Sequence, residues 1–278
     1  MKNWKRSPKN IHVTKYVECY WFLEKEPGDV SNNHPKLNPD PSAHLIIANT
    51  HQKYQYDLDA SSKKGSGSHW IFPHLNTFTM DHSLPFQIIG IKFRVGALYS
   101  LDFAILDSQP DTVKFADINQ LICFGSMNTE NLLMNAMNDP QQTCDLLDEM
   151  LAPTLIKSKE DKHSELVRDI LPLLKNTPIA QIGTILHRSQ RTIERSFTRV
   201  TNLTLKQCIS MIRLEEMLNY LYALTSEDIN WSDLAARYEF SDQPHLIRYL
   251  KNSIGQTPGQ YARHRDLTID TYGNFEVH

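Results

Sequence analysis

The alternation of hydrophobic and polar positions changes its period part-way along the chain. Up to residue 95, apolar residues alternate or come in short runs, and turn-forming clusters separate them. IHVTKYVECYWFLE (residues 11–24) predicts one or two strands. AHLIIANT (43–50), KYQYDLD (53–59), HWIF (69–72), LNTFTM (75–80) and FQIIGIKFRV (86–95) predict further ones. The Pro- and Asn-rich stretch 27–42 reads as a loop, and SSKKGSGS (61–68) as a flexible, hairpin-like turn. Short strands divided by turn residues suggest a β-sandwich or small barrel. After Gly96 the apolar spacing becomes helical, in ALYSLDF, FADINQLI and ENLLMNAM. An amphipathic helix follows over 141–156, with Cys144, Leu147 and Leu151 about one turn apart. KSKEDKHS (157–164) is the most solvated run and predicts a linker.

The C-terminal third writes one pattern twice. SFTRVTNLTLKQ (196–207) lies against YLKNSIGQTPGQ (249–260), and each copy passes through Asn202 or Gly255, residues that tolerate a left-handed backbone after a helix. In the first copy Thr177 suits an N-cap and Pro178 the first helical position, and Ile182, Ile185 and Leu186 share one apolar face. His187 and Arg188 make the turn, and Ser189 caps the next helix. At 100° per residue, Ile193, Ser196, Phe197 and Val200 point inward, while Arg191, Arg195 and Thr198 point outward. In the second copy Asn230 caps a helix carrying Leu234, Ala235 and Tyr238, residues 239–241 turn, and Asp242 caps a helix with Pro244 in its first turn. Leu246, Tyr249, Leu250 and Ser253 face inward there. His245, Arg248 and Lys251 face outward, with Gln243 at the tip. Residues 203–222 suit a connecting helix with Leu205, Ile209, Ile212 and Leu218 as its buried stripe.

A duplicated helix-turn-helix with basic outward faces is built for a duplex: two such helices about 34 Å apart enter successive major grooves. Arginine can pair with guanine or neutralise phosphate, and spacing alone does not separate these roles. The net charge of −3 by itself argues against nucleic acid. Its distribution reverses that argument, because residues 163–265 carry 13 Lys+Arg against 10 Asp+Glu while the remainder carries 16 against 22.

Other chemistry finds little support. No apolar run approaches the roughly 20 residues of a membrane span. The basic N-terminus precedes no apolar segment of a secretory signal. The four scattered cysteines (Cys19, Cys123, Cys144, Cys208) form no CxxC and read as reduced and buried, which suits a bacterial-type cytoplasm. His44, His51, His69, His74 and His82 form no HxH pair, so structural or surface roles are expected and no metal. Phosphate-loop, GxSxG and HExxH motifs are absent, and neither a catalytic residue nor a cofactor is assigned. The aromatic cluster Tyr16, Tyr20, Trp21 and Phe22 reads as core.

At residues 167–265 the chain resembles the AraC/XylS family of bacterial transcription regulators. The resemblance is carried by SQRTIERSF (189–197), FSDQPHLIR (240–248) and the closing GQTPGQY (255–261). It implies a seven-helix domain with two DNA-reading motifs, whose base-contacting positions fall on Arg191, Thr192, Glu194 and Arg195, then on Gln243, Pro244, Ile247 and Arg248. The apolar Pro244 and Ile247 point to an anchoring second helix. Glu239 stands where the family has Gly, Leu250 where it has Phe, and Gly183 where it has Ala. More weakly, YVECYWFLE (16–24), NPDPSAHLII (38–47) and GIKFRVGAL (90–98) resemble the sensor domain of one branch of the family, which implies a cupin-like β-fold followed by helices.

The expected architecture is therefore α+β, with a β-rich domain and trailing helices over 1–156, a linker over 157–164, an all-α double helix-turn-helix domain over 165–265 and a tail over 266–278. The expected activity is sequence-specific, non-enzymatic transcription regulation in the cytoplasm, with transcription activation as its expected direction. DNA contacts are assigned to Gln190, Arg191, Thr192, Glu194, Arg195, Thr198, Gln243, His245, Arg248 and Lys251. Arg94 and His44 are candidates for an effector. The expected partners are an operator duplex, a small-molecule effector, RNA polymerase and a second copy of the chain, with no membrane. Two rival readings of the N-terminal domain are a metal-dependent cupin enzyme and a protein-interaction module without a small ligand.

Overall fold

A computed structural model describes residues 1–59, 62–101, 109–121, 128–222, 229–255 and 257. The N-terminal part runs β1 (Lys2–Arg6), α1 (Ile11–Thr14), β2 (Val17–Lys25), β3 (Lys36–Leu37), β4 (His44–Ala48), β5 (Lys53–Tyr56), β6 (Lys63–Ser66), β7 (His69–Ile71), β8 (Phe78–Thr79) and β9 (Phe86–Phe93). Then come α2 (Ala97–Ser100), β10 (Val113–Phe115), α3 (Ile118–Leu121), α4 (Thr129–Asn138) and α5 (Pro140–Leu155).

Six strands form one antiparallel sheet in the order β1-β2-β9-β4-β7-β10, and the pairs β3-β8 and β5-β6 form two small sheets. Side chains alternate across this sheet, so β2 sends Tyr20 and Phe22 to one face and Cys19, Trp21 and Leu23 to the other. The first face packs on Leu132, Leu133, Leu147 and Leu151 of α4 and α5. The second packs on Tyr56, Phe78 and Met80 of the small sheets. Burial on both faces explains why CYWFL is an unbroken apolar run rather than an alternating one. A Cβ at Gly90 would overlap the Trp21 ring, so this glycine lets the indole lie flat across β9.

Several local expectations change. Residues 2–6 form an edge strand that their polar composition hid; Trp4 alone ties it inward, stacking on Phe22 at 5.9 Å. Residues 11–14 are a helical turn rather than a strand, because Asn10 caps it by accepting from the His12 N–H at 2.9 Å. Part of the expected turn at 61–68 is the strand β6, and β10 was not expected from the sequence. Cys19, Cys144 and Cys208 are reduced and buried, whereas Cys123 lies outside the described residues.

The second part runs α6 (Lys162–Ile170), a 3₁₀ turn (Leu171–Leu173), α7 (Ile179–Ile185), α8 (Gln190–Thr201), α9 (Leu205–Tyr222), α10 (Trp231–Arg237) and α11 (Gln243–Ile254). The segment between α5 and α6 is bonded to its surroundings. Glu160 accepts from Lys15 at 2.7 Å and pairs with Arg168, and the Lys159 N–H donates to the Ser100 carbonyl at 2.9 Å. Asp161 and Ser164 then close a capping box on α6. Pro178, not Thr177, is the cap residue of α7, and it offers no side-chain bond. Ile185 is exposed rather than inward, since the seven-residue α7 ends before that face meets the core.

The buried stripe of α9 also differs from expectation. Leu205 and Leu218 are buried, but Ile209 and Ile212 only flank the stripe formed by Cys208, Met211, Leu214, Met217 and Leu221. The helix serves two cores, Leu205–Met211 facing the first motif and Leu214–Leu221 the second, so its inward face shifts along its length. The C-terminal tail and nearly all of GQTPGQY lie outside the described residues.

Candidate nucleic-acid interface

The two copies are built to the same measure. α7 and α10 have 7 residues each, and α8 and α11 have 12. In each turn one residue adopts a left-handed backbone, His187 (φ 51°) and Glu239 (φ 60°), and the long helices end on left-handed Asn202 (φ 56°) and Gly255 (φ 69°). For Glu239 that conformation costs about 1–3 kcal/mol. A 2.8 Å ion pair with Arg213 of α9 holds it in place. Gly183 is required for the close turn, because a Cβ there would stand 2.7 Å from the Arg188 carbonyl oxygen.

α8 begins where Ser189 accepts the Thr192 N–H at 3.2 Å. Ile193, Ser196, Phe197 and Val200 are buried, and Ser196 meets the Nδ1 of His163 at 2.9 Å. Arg191, Thr192, Glu194, Arg195 and Thr198 are exposed together on the opposite side, with Gln190 half-buried at the start. Gln190 donates to Glu194 at 2.9 Å, so these two hold each other and must part before either reads a base. Arg191 and Arg195 line a cleft of about 580 Å³ between α6 and α8, joined by Lys162 and Arg188. The sequence reading passed over these last two, although Arg188 adjoins the turn.

α11 begins at Asp242, which accepts the His245 N–H at 2.7 Å. Leu246, Leu250 and Ile254 are buried, Ile247 and Tyr249 half-buried, and Gln243, Pro244, Arg248 and Lys251 exposed. His245 is exposed but turned back to its own turn, 3.2 Å from the Ser241 hydroxyl and edge-on to Phe240. It braces the turn.

Residues 182–264 match the sequence model of a helix-turn-helix domain, and the matched span contains both motifs. The chain is an AraC-type DNA-binding transcription regulator. Residues 7–103 match a domain of unknown function (DUF6597). No curated relative matches the regulator. Among solved structures it is similar to an apo ToxT variant from Vibrio cholerae strain SCE256, at 13% identity and TM-score 0.47 over 95% of this chain and 100% of that one. It is also similar to the C-terminal domain of AraT, a response regulator from Geobacillus stearothermophilus, at 19% identity and TM-score 0.33 over 42% and 98% of the two chains. A third similarity is to the AraC-like transcriptional activator CuxR, at 12% identity and TM-score 0.25 over 77% and 86%. The assignment rests on the domain match and the paired motifs, not on these distant likenesses.

The N-terminal part of the regulator touches both reading helices at their C-terminal ends. Lys36 Nζ donates to the Ile254 carbonyl at 3.0 Å, and the Thr77 hydroxyl donates to the Ser253 carbonyl, both on the last turn of α11. A lysine there also complements the negative end of the helix dipole. At α8, Tyr99 accepts from Arg199 Nε at 2.9 Å and donates to Asp161 at 2.8 Å, while Val95 and Tyr99 pack against the first motif's core. Lys92, paired with Asp40 at 2.9 Å, also stands 4.0 Å from Glu215 of α9. Burial disfavours the charged Asp40, yet Lys92 and then His44 outweigh it and hold its carboxyl well below the usual range.

The two effector candidates part company. His44 is fully buried and bound to Asp40 at 3.1 Å, whereas Arg94 is exposed, donates to the Thr14 carbonyl at 2.8 Å and lines a cleft beside Tyr99. Among the described residues no group of three or more His, Cys, Asp or Glu is placed to hold a metal, and no helix is long and apolar enough to cross a membrane.

Gly96 makes the contact with α8 close. It has φ 77°, and a Cβ there would lie 2.8 Å from Val200 Cγ1. Gly96→Val is therefore expected to cost about 1–3 kcal/mol through backbone strain and overpacking. Limited proteolysis checks the consequence: cleavage at 156–161 should speed up, and an unchanged digestion pattern means that this contact does not hold the two parts together.

Proposed function

We propose that the regulator reads its operator mainly through α8, with Arg191 and Arg195 as the principal contacts, and that α11 anchors the duplex through Gln243, Arg248 and Lys251. The single observation that carries this reading is the asymmetry of the two exposed faces. α8 offers two arginines one turn apart over a basic cleft, while α11 offers one arginine beside Pro244 and Ile247. The N-terminal domain acts as sensor or dimerisation unit, not as an enzyme. Its grip on the ends of both reading helices supports that role, since a shift there alters the spacing at which two grooves are met. An effector controls output only by binding one arrangement better than the other. The regulator acts in the cytoplasm, as a homodimer that contacts RNA polymerase.

The test needs the operator, obtained by genome-wide mapping of bound sites. Arg195→Ala is expected to weaken operator binding by about 1–3 kcal/mol and random-duplex binding much less. Equal losses on both duplexes make Arg195 a phosphate anchor, and a larger specificity loss in Arg248→Ala reverses the assignment of reader and anchor.

A further inference from the structure

A cleft of about 360 Å³ lies where the sensor meets the end of α8, with walls from residues 94–101, from Phe72 and Pro73, and from residues 199–202. We propose that it binds a small organic anion, a carboxylate carrying an apolar body, and that this ligand clamps the sensor to the first reading helix. The inference rests on the reading of this junction as the sensor-to-reader connection.

Charge is the first observation. Arg94, Lys159 and Arg199 line the cleft, and no Asp or Glu is among its described lining residues. Arg94 and Arg199 are each held through Nε on a neutral acceptor, the Thr14 carbonyl and the Tyr99 hydroxyl. Their terminal guanidinium nitrogens form the fork that a carboxylate engages in parallel bonds.

Shape and polarity are the second. Phe72, Ala97, Leu98, Leu101 and Val200 supply apolar wall, which a bare inorganic ion would leave unused. The volume falls at the small end of the roughly 300–1,000 Å³ of ligand sites. Position is the third. Groove contact begins at the N-terminal end of α8, and twelve residues of helix place the cleft about 18 Å away from it. A DNA phosphate is therefore the weaker occupant. Because Arg94 belongs to the sensor and Arg199 to the reading helix, one carboxylate touching both binds only the docked arrangement and so favours it.

Calorimetry on the full-length chain tests this with 2-naphthoate and its neutral counterpart 2-naphthalenemethanol. The acid is expected to bind about tenfold tighter than the alcohol, and Arg94→Gln or Arg199→Gln to lose about tenfold, as the removal of a charge-assisted pair requires. Arg6→Gln, on the edge strand, should leave binding unchanged. Equal binding of acid and alcohol, no binding at millimolar concentration, or an equal loss in Arg6→Gln overturns the site. So does a fall in random-duplex affinity and salt slope in Arg94→Gln and Arg199→Gln, which would make the cleft a backbone contact. If naphthoate binds through both arginines yet leaves operator affinity untouched, the site stands and the sensor-to-reader reading fails. If naphthoate does not bind while Gly96→Val changes operator affinity, that reading stands and the site fails.

Discussion

Phe197→Ala is expected to destabilise the first helix-turn-helix by about 3–5 kcal/mol and to abolish operator binding. The ring is fully buried among Ile182, Ile193, Val200 and Leu203, and these come from α7, α8 and the start of the connection to α9. Truncation removes the one group that all of them touch, so α8 loses the surface that keeps Arg191 and Arg195 outward together. Urea unfolding followed by circular dichroism measures the loss, with Phe197→Leu as a milder companion that retains most of the volume. A loss under about 1 kcal/mol in the alanine variant would mean that the core closes over the gap, and that Phe197 is not the keystone described.

Acid is expected to unfold the N-terminal domain well above the range where carboxylates titrate. His69 and His82 are buried and neutral. Burial, against a small opposing effect of the Gly67 carbonyl, pulls His69 down to about 4. Burial and then the Lys25 ammonium pull His82 down to about 3. The unfolded chain protonates both near 6.5, so their full contribution is present above that pH. It falls as the pH drops from 6.5 toward about 4 for His69 and about 3 for His82. Between pH 6.5 and 5 each histidine removes about 2 kcal/mol. The Asp40–Lys92 pair adds to the loss only below the ordinary carboxylate range, because its carboxyl is held lower still. The neutral His69 ring is placed by its two partners, with Nδ1–H donating to Gly67 and Nε2 accepting from the Tyr56 hydroxyl at 2.7 Å. Urea midpoints at pH 7 and pH 5 should differ sharply in the native chain and much less in the double variant His69→Gln, His82→Gln. Identical pH slopes for the two proteins would show that these rings do not carry the effect.

How much was legible in advance follows the range of the forces. Caps and turns act within four residues, so Ser189, Asn230 and Asp242 could be recognised as caps, and Asn202 and Gly255 as left-handed ends. The faces of α8 and α11 follow from helical period alone, and the buried and exposed residues fall where the period puts them. The period was less informative where one element serves two neighbours. α9 lies under both motifs, and no single stripe describes it. Strand β1 was illegible because its partner, β2, supplies the hydrogen bonds and most of the apolar surface. β10 is likewise defined by its pairing with β7, some forty residues away in sequence.

The amino-acid sequence by itself determined the duplicated motif, the arginine-bearing face of α8 and the α+β division, since these rest on local periodicity and capping. Only the tertiary structure decided that Lys36, Thr77 and Tyr99 reach the ends of the two reading helices, that His44 is sealed inside with Asp40, and that Arg94 and Arg199 share one cleft. Such contacts join residues some hundred or more positions apart. They arise from how two packed units meet, and no local pattern in either unit encodes that meeting.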